Sequence, residues 1–339
     1  MKSINRLLYC QYLYVSQINY TLTNLADHIE GLSHDKINRY LKNAKLSSSL
    51  VWEHSKEDVI ESKNGYLLFD DTVINKEYSV TIELARRHYS GNTHSITTGI
   101  GVVTCVYYNP EVQKFWITDY RIYDPDKDGK TKMDHLEDML EHTLYQKKLF
   151  FKNFLVDSWY ATHKIMLKLD SLEKIYYCPV KKNRLVIDKT QDDKSKTHQS
   201  IETLYWSEEE LKKGKTVTPN KFPKEKKVKL FQITISTNRI DYVITNQMNQ
   251  NSSDDTRNEC AIRWKIEEFH REIKQVTGLE KCQCRKSRIQ RNHSACAMLV
   301  WIHMKRYARS ISKTIYEVKH QLLDNYLTLQ LRSPSLSFA

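Results

Sequence analysis

The stretch LLFDD, residues 67–71, constrains the fold most, because an apolar run with β-branched residues beyond it is stopped by two adjacent carboxylates. Such a run reads as a buried strand. A carboxylate at the end of a buried strand is costly unless it is paired, hydrogen-bonded or bound to a metal. The pattern recurs in FFKNFLVDSWYAT, where a second apolar strand ends on Asp157. If the two strands are neighbours, Asp70 and Asp157 point into one cleft at a sheet edge. Asp70 is the preferred member of its pair, with Asp71 as the alternative.

Three more strands are expected, at SITTGIGVVTCVYY (95–108), KFWITDYRIY (114–123) and KIYYCPV (174–180). Amphipathic helices fill 130–148 and 162–172. The resulting order, β-β-β-α-β-α-β, predicts an α/β chain with a mixed five-stranded sheet. Residues 1–60 read as helical. Within them LTNLADHIEGLSHDKINRYLKNA outlines a helix-turn-helix whose second helix, carrying Lys36, Arg39 and Lys42, would enter a DNA major groove. A plain helical hairpin is the alternative. Residues 180–250 form a β-rich insertion, with TLYW, KLFQITIS and IDYVITN as strands around the loop KKGKTVTPNKFPKEKKVK. The chain thus divides into a helical, DNA-binding 1–60, a first core part at 61–179, the insertion at 180–250, a core helix at 251–280 and a helical region at 281–339.

That core helix holds RWKIEEFHREIK, residues 263–274. At about 100° per residue, Arg263, Glu267, His270 and Lys274 fall within roughly 60° of one another. Ile262, Ile266, Phe269 and Ile273 make a separate apolar stripe. A solvated edge with i,i+4 ion pairs is the bland account of that pattern. The other is that Glu267 joins Asp70 and Asp157. Three converging carboxylates without a matching buried cation favour Mg²⁺ or Mn²⁺. Two such ions per site are the standard device for in-line phosphodiester displacement. Arg263 and Lys274 would then grip phosphates, and His270 would touch phosphate or DNA rather than act as a base.

A net charge of +12 agrees with an anionic partner, nucleic acid first. No apolar run reaches the ~18 residues of a spanning helix, which argues against a membrane protein. The N-terminal segment lacks the continuous apolar core of a signal peptide, and seven scattered cysteines fit reduced thiols, so a cytoplasmic location is expected. Two other clusters are decoys. DPDKDGKTKMDH begins like a calcium loop, with Asp124, Asp126, Asp128 and Gly129 in register, but His135 stands where a Glu is required. Cys282, Cys284, His293 and Cys296 match no common zinc spacing.

LLFDDTVINK, FLVDSWYAT and IRWKIEEFHREIKQVTGLE, in that order, together resemble the bacterial insertion-sequence transposases of the DDE class, in the insertion-sequence-four superfamily. The signature around the Glu in that superfamily is Tyr, then Arg three residues on, Glu four further and Lys seven beyond. Arg263, Glu267 and Lys274 match it, while Cys260 stands at the Tyr position. The resemblance implies an RNase H-like core with a β-rich insertion between the second Asp and the Glu. It also implies catalysis by Asp70, Asp157 and Glu267 on divalent cations. Cleavage would free a 3′-OH at the element's end, and that hydroxyl would attack target DNA. The implied partners are double-stranded DNA with terminal inverted repeats, target DNA, and a second copy of the chain on paired ends, in a nucleoid-associated setting. Trp264 and Trp206 are candidates for stacking on an unpaired base, or are simply packed. An inactive copy acting only as a DNA-binding protein, or an RNase H-like structure-specific nuclease, are the competing readings.

Overall fold

Side-chain caps punctuate the first third of the chain. In the computed structural model, which describes residues 3–77, 79, 81–90, 95–189, 197–236 and 239–335, four helices open it. They are α1 (Arg6–Val15), α2 (Leu22–Asp27), α3 (His34–Asn43) and α4 (Ser48–Lys56). Each starts where Asn5, Thr21, Ser33 or Ser47 accepts a backbone N–H of the first turn. Next come β1 (Tyr66–Asn75), β2 (Arg86–Ser90), β3 (Ser95–Asn109) and β4 (Lys114–Ile122), then α5 (Pro125–Asp128) and α6 (Lys132–Glu141). The chain continues through β5 (Asn153–Leu155), α7 (His163–Ser171) and β6 (Ile175–Val180). The insertion supplies β7 (Leu185–Asp188), β8 (Gln199–Ser200), α8 (Glu208–Lys213), β9 (Lys215–Pro219), β10 (Val228–Ser236) and β11 (Arg239–Thr245). Helices α9 (Ser253–Ala261), α10 (Trp264–Val276), α11 (Ser287–Ser310), α12 (Ile315–His320) and α13 (Asp324–Arg332) follow.

The described strands make one mixed sheet. Its first part runs β4-β3-β1-β5-β6, antiparallel as far as β1 and parallel from β1 through β5 to β6. Strand β2, which the sequence did not suggest, pairs with the start of β3 on the edge β4 also uses. The insertion is not a separate sheet: β11 lies antiparallel to β6, and the order continues β10-β9-β7-β8. The expected strand at TLYW is instead a 3₁₀ turn, Ile201–Thr203, followed by a loop, while β9 lies within the expected basic loop.

Alternation along β1 and β3 sorts residues to two cores. Tyr66, Leu68, Val102 and Val106 face α10, α11 and the N-terminal helices. Leu67, Phe69, Val103 and Cys105 face α6 and α7. Helix α11 is the hub of the first core. Its fully buried Asn292 donates to the carbonyls of Leu41 (2.6 Å) and Ala44 (2.8 Å) and accepts from Leu46 N–H (3.0 Å), closing off the end of α3. Gly278, in the left-handed region at φ 70°, turns the chain after α10, where a Cβ would strike the Tyr20 ring. Among the described residues, no helix is long and apolar enough to cross a membrane.

Candidate active site

Strand pleating separates the two carboxylates of LLFDD. Asp70 pairs in register with Thr104 and shares its face, toward α10; Asp71 pairs with Val103 and faces α6. Asp70 Oδ1 accepts the Asp71 N–H at 2.8 Å, and Oδ2 lies 3.4 Å from Arg263 Nη1. Burial, with the negative charge of Asp157 next, pushes the Asp70 carboxyl up to about 8. Asp157 stands two residues beyond the end of the short β5, in a turn, where its Oδ1 accepts the N–H groups of Trp159 (3.0 Å) and Tyr160 (3.1 Å). Burial raises its pKa as well.

Glu267 comes from α10, whose Ile266, Phe269 and Ile273 bury as the apolar stripe predicts. The helix begins after a break at Ile262–Arg263, so Arg263 stands at its N-terminal boundary. Its Nη1 lies 2.9 Å from Glu267 Oε1 as well as 3.4 Å from Asp70, and its charge also acts on Asp157. One guanidinium therefore pairs with carboxylates of β1 and α10, and its charge lowers the Asp157 pKa against the effect of burial. Trp264 beside it is 61% exposed, with the Arg263 guanidinium 5.7 Å from its ring centroid.

The remaining expected contacts divide. His270 is not on an open edge, which corrects its expected role at phosphate or DNA. Strands β1 and β3 cover the ring, which is buried, and burial lowers its pKa to about 3, so it is neutral. The Thr104 hydroxyl donates to the Asp70 carbonyl (3.1 Å), leaving His270 Nε2–H to donate to Thr104 Oγ1 at 2.7 Å. Lys274 is engaged too, donating to the Val73 carbonyl (2.7 Å) and lying 3.4 Å from Glu280. Lys36, Arg39 and Lys42 do face solvent on α3, with Ile37 and Leu41 buried beneath. Trp206 packs against the second core, and burial pushes the Cys260 thiol up to about 12.

Asp124 is paired with Arg86 (3.2 Å) and Arg291 (2.6 Å), and His293 joins Tyr9 OH (2.9 Å) and the Gly278 carbonyl (3.1 Å). Two residues escaped sequence reasoning, Lys132 and Tyr160, whose links to Asp71 depend on tertiary contacts. Their only trace in the sequence is that Tyr160 falls within DSWYAT, the stretch around Asp157.

Of the four histidines buried among the described residues, His88, His135, His270 and His293, the last two set the strongest acid limit. Burial lowers His270 to about 3 and His293 to about 4. Below their ordinary value near 6.5 the unfolded chain takes up protons that the folded chain refuses, so stability is full above about pH 6.5 and falls as pH drops toward the folded values. At pH 5 each histidine should have cost about 2 kcal/mol. Asp70 gains stability over the same interval, so the term is read by difference: in urea unfolding at pH 7.5 and 5, His293→Gln should lose about 2 kcal/mol less than the wild-type chain on acidification. An unchanged pH dependence in that variant would refute the assignment.

No curated protein matches the chain. Among solved structures, a piggyBac transposase synaptic complex with hairpin DNA, determined by cryo-EM, is similar at a TM-score of 0.47 and 9% identity, over 98% of this chain and 72% of the other. The family model described as a transposase DDE domain matches residues 67–302, a span that holds Asp70, Asp157 and Glu267. With well over half its length inside that match, the chain belongs to the transposase DDE-domain family.

Proposed function

We propose that the chain is a DNA transposase of the insertion-sequence-four type, with an RNase H-like core in which Asp70, Asp157 and Glu267 are the catalytic carboxylates. The observation that carries this reading is that Arg263 pairs with both Asp70 and Glu267, while the charge of Asp157 acts on Asp70. The strand order β4-β3-β1-β5-β6, antiparallel then parallel, supports the core assignment.

The donor set fits a hard divalent cation such as Mg²⁺ or Mn²⁺. All three groups offer carboxylate oxygens, and the repulsion between Asp70 and Asp157 calls for added positive charge. Among the described residues no three His, Cys, Asp or Glu side chains stand close enough together to hold a metal as they are, and Arg263 is paired with Asp70 and Glu267. Asp70, Asp157 and Glu267 would hold the cations, two in the full site. Bound there, these ions supply an activated water and neutralise the leaving oxygen. The chain's own residues do the rest. Arg263 offers a planar fork to a phosphate at the mouth of the site, and the exposed Trp264 offers a face to an unpaired base. Lys36, Arg39 and Lys42 hold the duplex of the element's terminal repeat. Target DNA, a second copy on paired ends and a nucleoid setting in a bacterial cytoplasm complete the proposal.

The test is incubation of the chain with duplexes carrying the element's flanking ends and Mg²⁺ or Mn²⁺, with mapping of products. Cleavage that leaves a 3′-OH at the element's end, followed by joining to a second duplex, is expected. Absence of end-specific cutting under both metals overturns the reading. Replacing Lys36, Arg39 and Lys42 together by Ala should leave the melting temperature unchanged and reduce the salt-dependence slope of duplex binding by up to about 3. An unaltered slope would reduce α3 to part of a helical hairpin.

A further inference from the structure

Asp71 lies across β1 from Asp70, yet it connects to Asp157. We propose that Asp71 is a positioning residue that fixes the turn carrying Asp157 through Tyr160; the inference rests on the reading of Asp157 as a catalytic carboxylate. The ladder does not hold Asp157, because β5 ends at Leu155. What holds its carboxylate is the turn itself, through the N–H groups of Trp159 and Tyr160. The anchor of that turn is the Tyr160 side chain. Its ring is fully buried in the core under α6 and α7, and its hydroxyl donates to Asp71 Oδ1 at 2.7 Å. Lys132, the first residue of α6, donates to Asp71 Oδ2 at 2.5 Å. Its ammonium also lies 5.8 Å and 5.9 Å from the ring centroids of Tyr123 and Trp159.

The links run in series: Lys132 orients Asp71, Asp71 orients the Tyr160 hydroxyl, and the Tyr160 backbone orients Asp157. Both members of the DD pair thereby bear on one site from opposite faces of one strand. Asp70 enters it directly, and Asp71 sets the position of the other carboxylate. A displacement of about 1 Å at a reacting group can cost a hundredfold in rate, so losing one buried hydroxyl here reaches the chemistry without touching the charge of the site.

The experiment uses the full chain in two measurements: Mn²⁺ affinity by electron paramagnetic resonance, and the single-turnover cleavage rate on end DNA alongside DNA affinity. Tyr160→Phe and Asp71→Ala should each slow cleavage about ten- to a hundredfold and weaken Mn²⁺ binding, with DNA affinity within twofold. The double variant should be no worse than the poorer single one, because both break one linkage. Asp71→Asn, which can still hydrogen-bond the Tyr160 hydroxyl, should recover most of the loss. If Asp71 is instead a direct metal ligand, Asp71→Asn abolishes cleavage and Tyr160→Phe is silent, which overturns the proposal. A lowered melting temperature with unchanged Mn²⁺ affinity and rate also overturns it. Failure of the wild-type chain to cut DNA would sink the functional reading alone, and the Mn²⁺ titration would still decide this one. Absence of Mn²⁺ binding by the wild-type chain would sink both.

Discussion

Replacing Asp70 by Asn should abolish DNA cleavage and raise the melting temperature of the metal-free protein. Both effects follow from the same burial. The folded state holds the Asp70 proton up to about 8, against an ordinary value of 3.8. A carboxyl with a raised folded pKa contributes stability that is full below the ordinary value and is lost as pH rises through the folded one. At neutral pH the folded chain must therefore hold a proton on a group that is ionised when unfolded, a burden that an amide removes. Asp157→Asn and Glu267→Gln should be equally inactive. On the proposed reading, loss of a metal-holding carboxylate removes several kcal/mol of transition-state stabilisation, a fall of at least about a thousandfold in rate. Duplex affinity should change little, since the proposed phosphate contacts are made by cations elsewhere. Substantial cutting in Mg²⁺ by any of the three variants would take that residue out of the site, and a lower melting temperature for Asp70→Asn would contradict the burial argument.

Glu272→Ala should be the most destabilising single change on the helix that carries Glu267. The Glu272 side chain is buried; Oε2 accepts Trp301 Nε1–H at 2.9 Å and Oε1 accepts Lys305 Nζ at 2.5 Å, both on α11. Truncation leaves the indole N–H without its acceptor and the ammonium with only the longer pairing to Glu268 at 3.6 Å. Breaking a buried charge pair from one side costs about 3–5 kcal/mol. Glu272→Gln, which keeps an acceptor, should cost less than half of that. Chemical denaturation of both variants decides the matter. Equal stability of the alanine variant and the wild-type chain would mean that the pair does not secure α10 to α11.

The sequence exposed what local patterns encode. Two apolar runs halted by carboxylates pointed to Asp70 and Asp157, and helical spacing gave the buried stripe of α10. It did not reveal what covers an edge. Angular arithmetic put Arg263, Glu267, His270 and Lys274 on one side of α10, but the sheet lies over part of that side. His270 is therefore buried against Thr104, and Lys274 is spent on Val73 and Glu280. The bridging role of Arg263 involves a partner 193 positions away, which no window of sequence contains. The choice between Asp70 and Asp71 becomes physical only once β3 sets which face each takes. Strand β2 stayed hidden because RRHYS has no apolar run, and TLYW misled because its aromatic content suits a packed loop as well as a strand.

Where the insertion joins the core, Thr245 lies opposite Tyr177, Ile244 opposite Cys178 and Val243 opposite Pro179. Open strand edges are templates for intermolecular pairing. Without β11, the parallel end of the sheet would offer β6 to any neighbouring chain, and two proteins could polymerise through it. The insertion thus covers the β6 edge as well as extending the sheet, and a chain trimmed to its three carboxylate-bearing segments would leave that edge open to pairing.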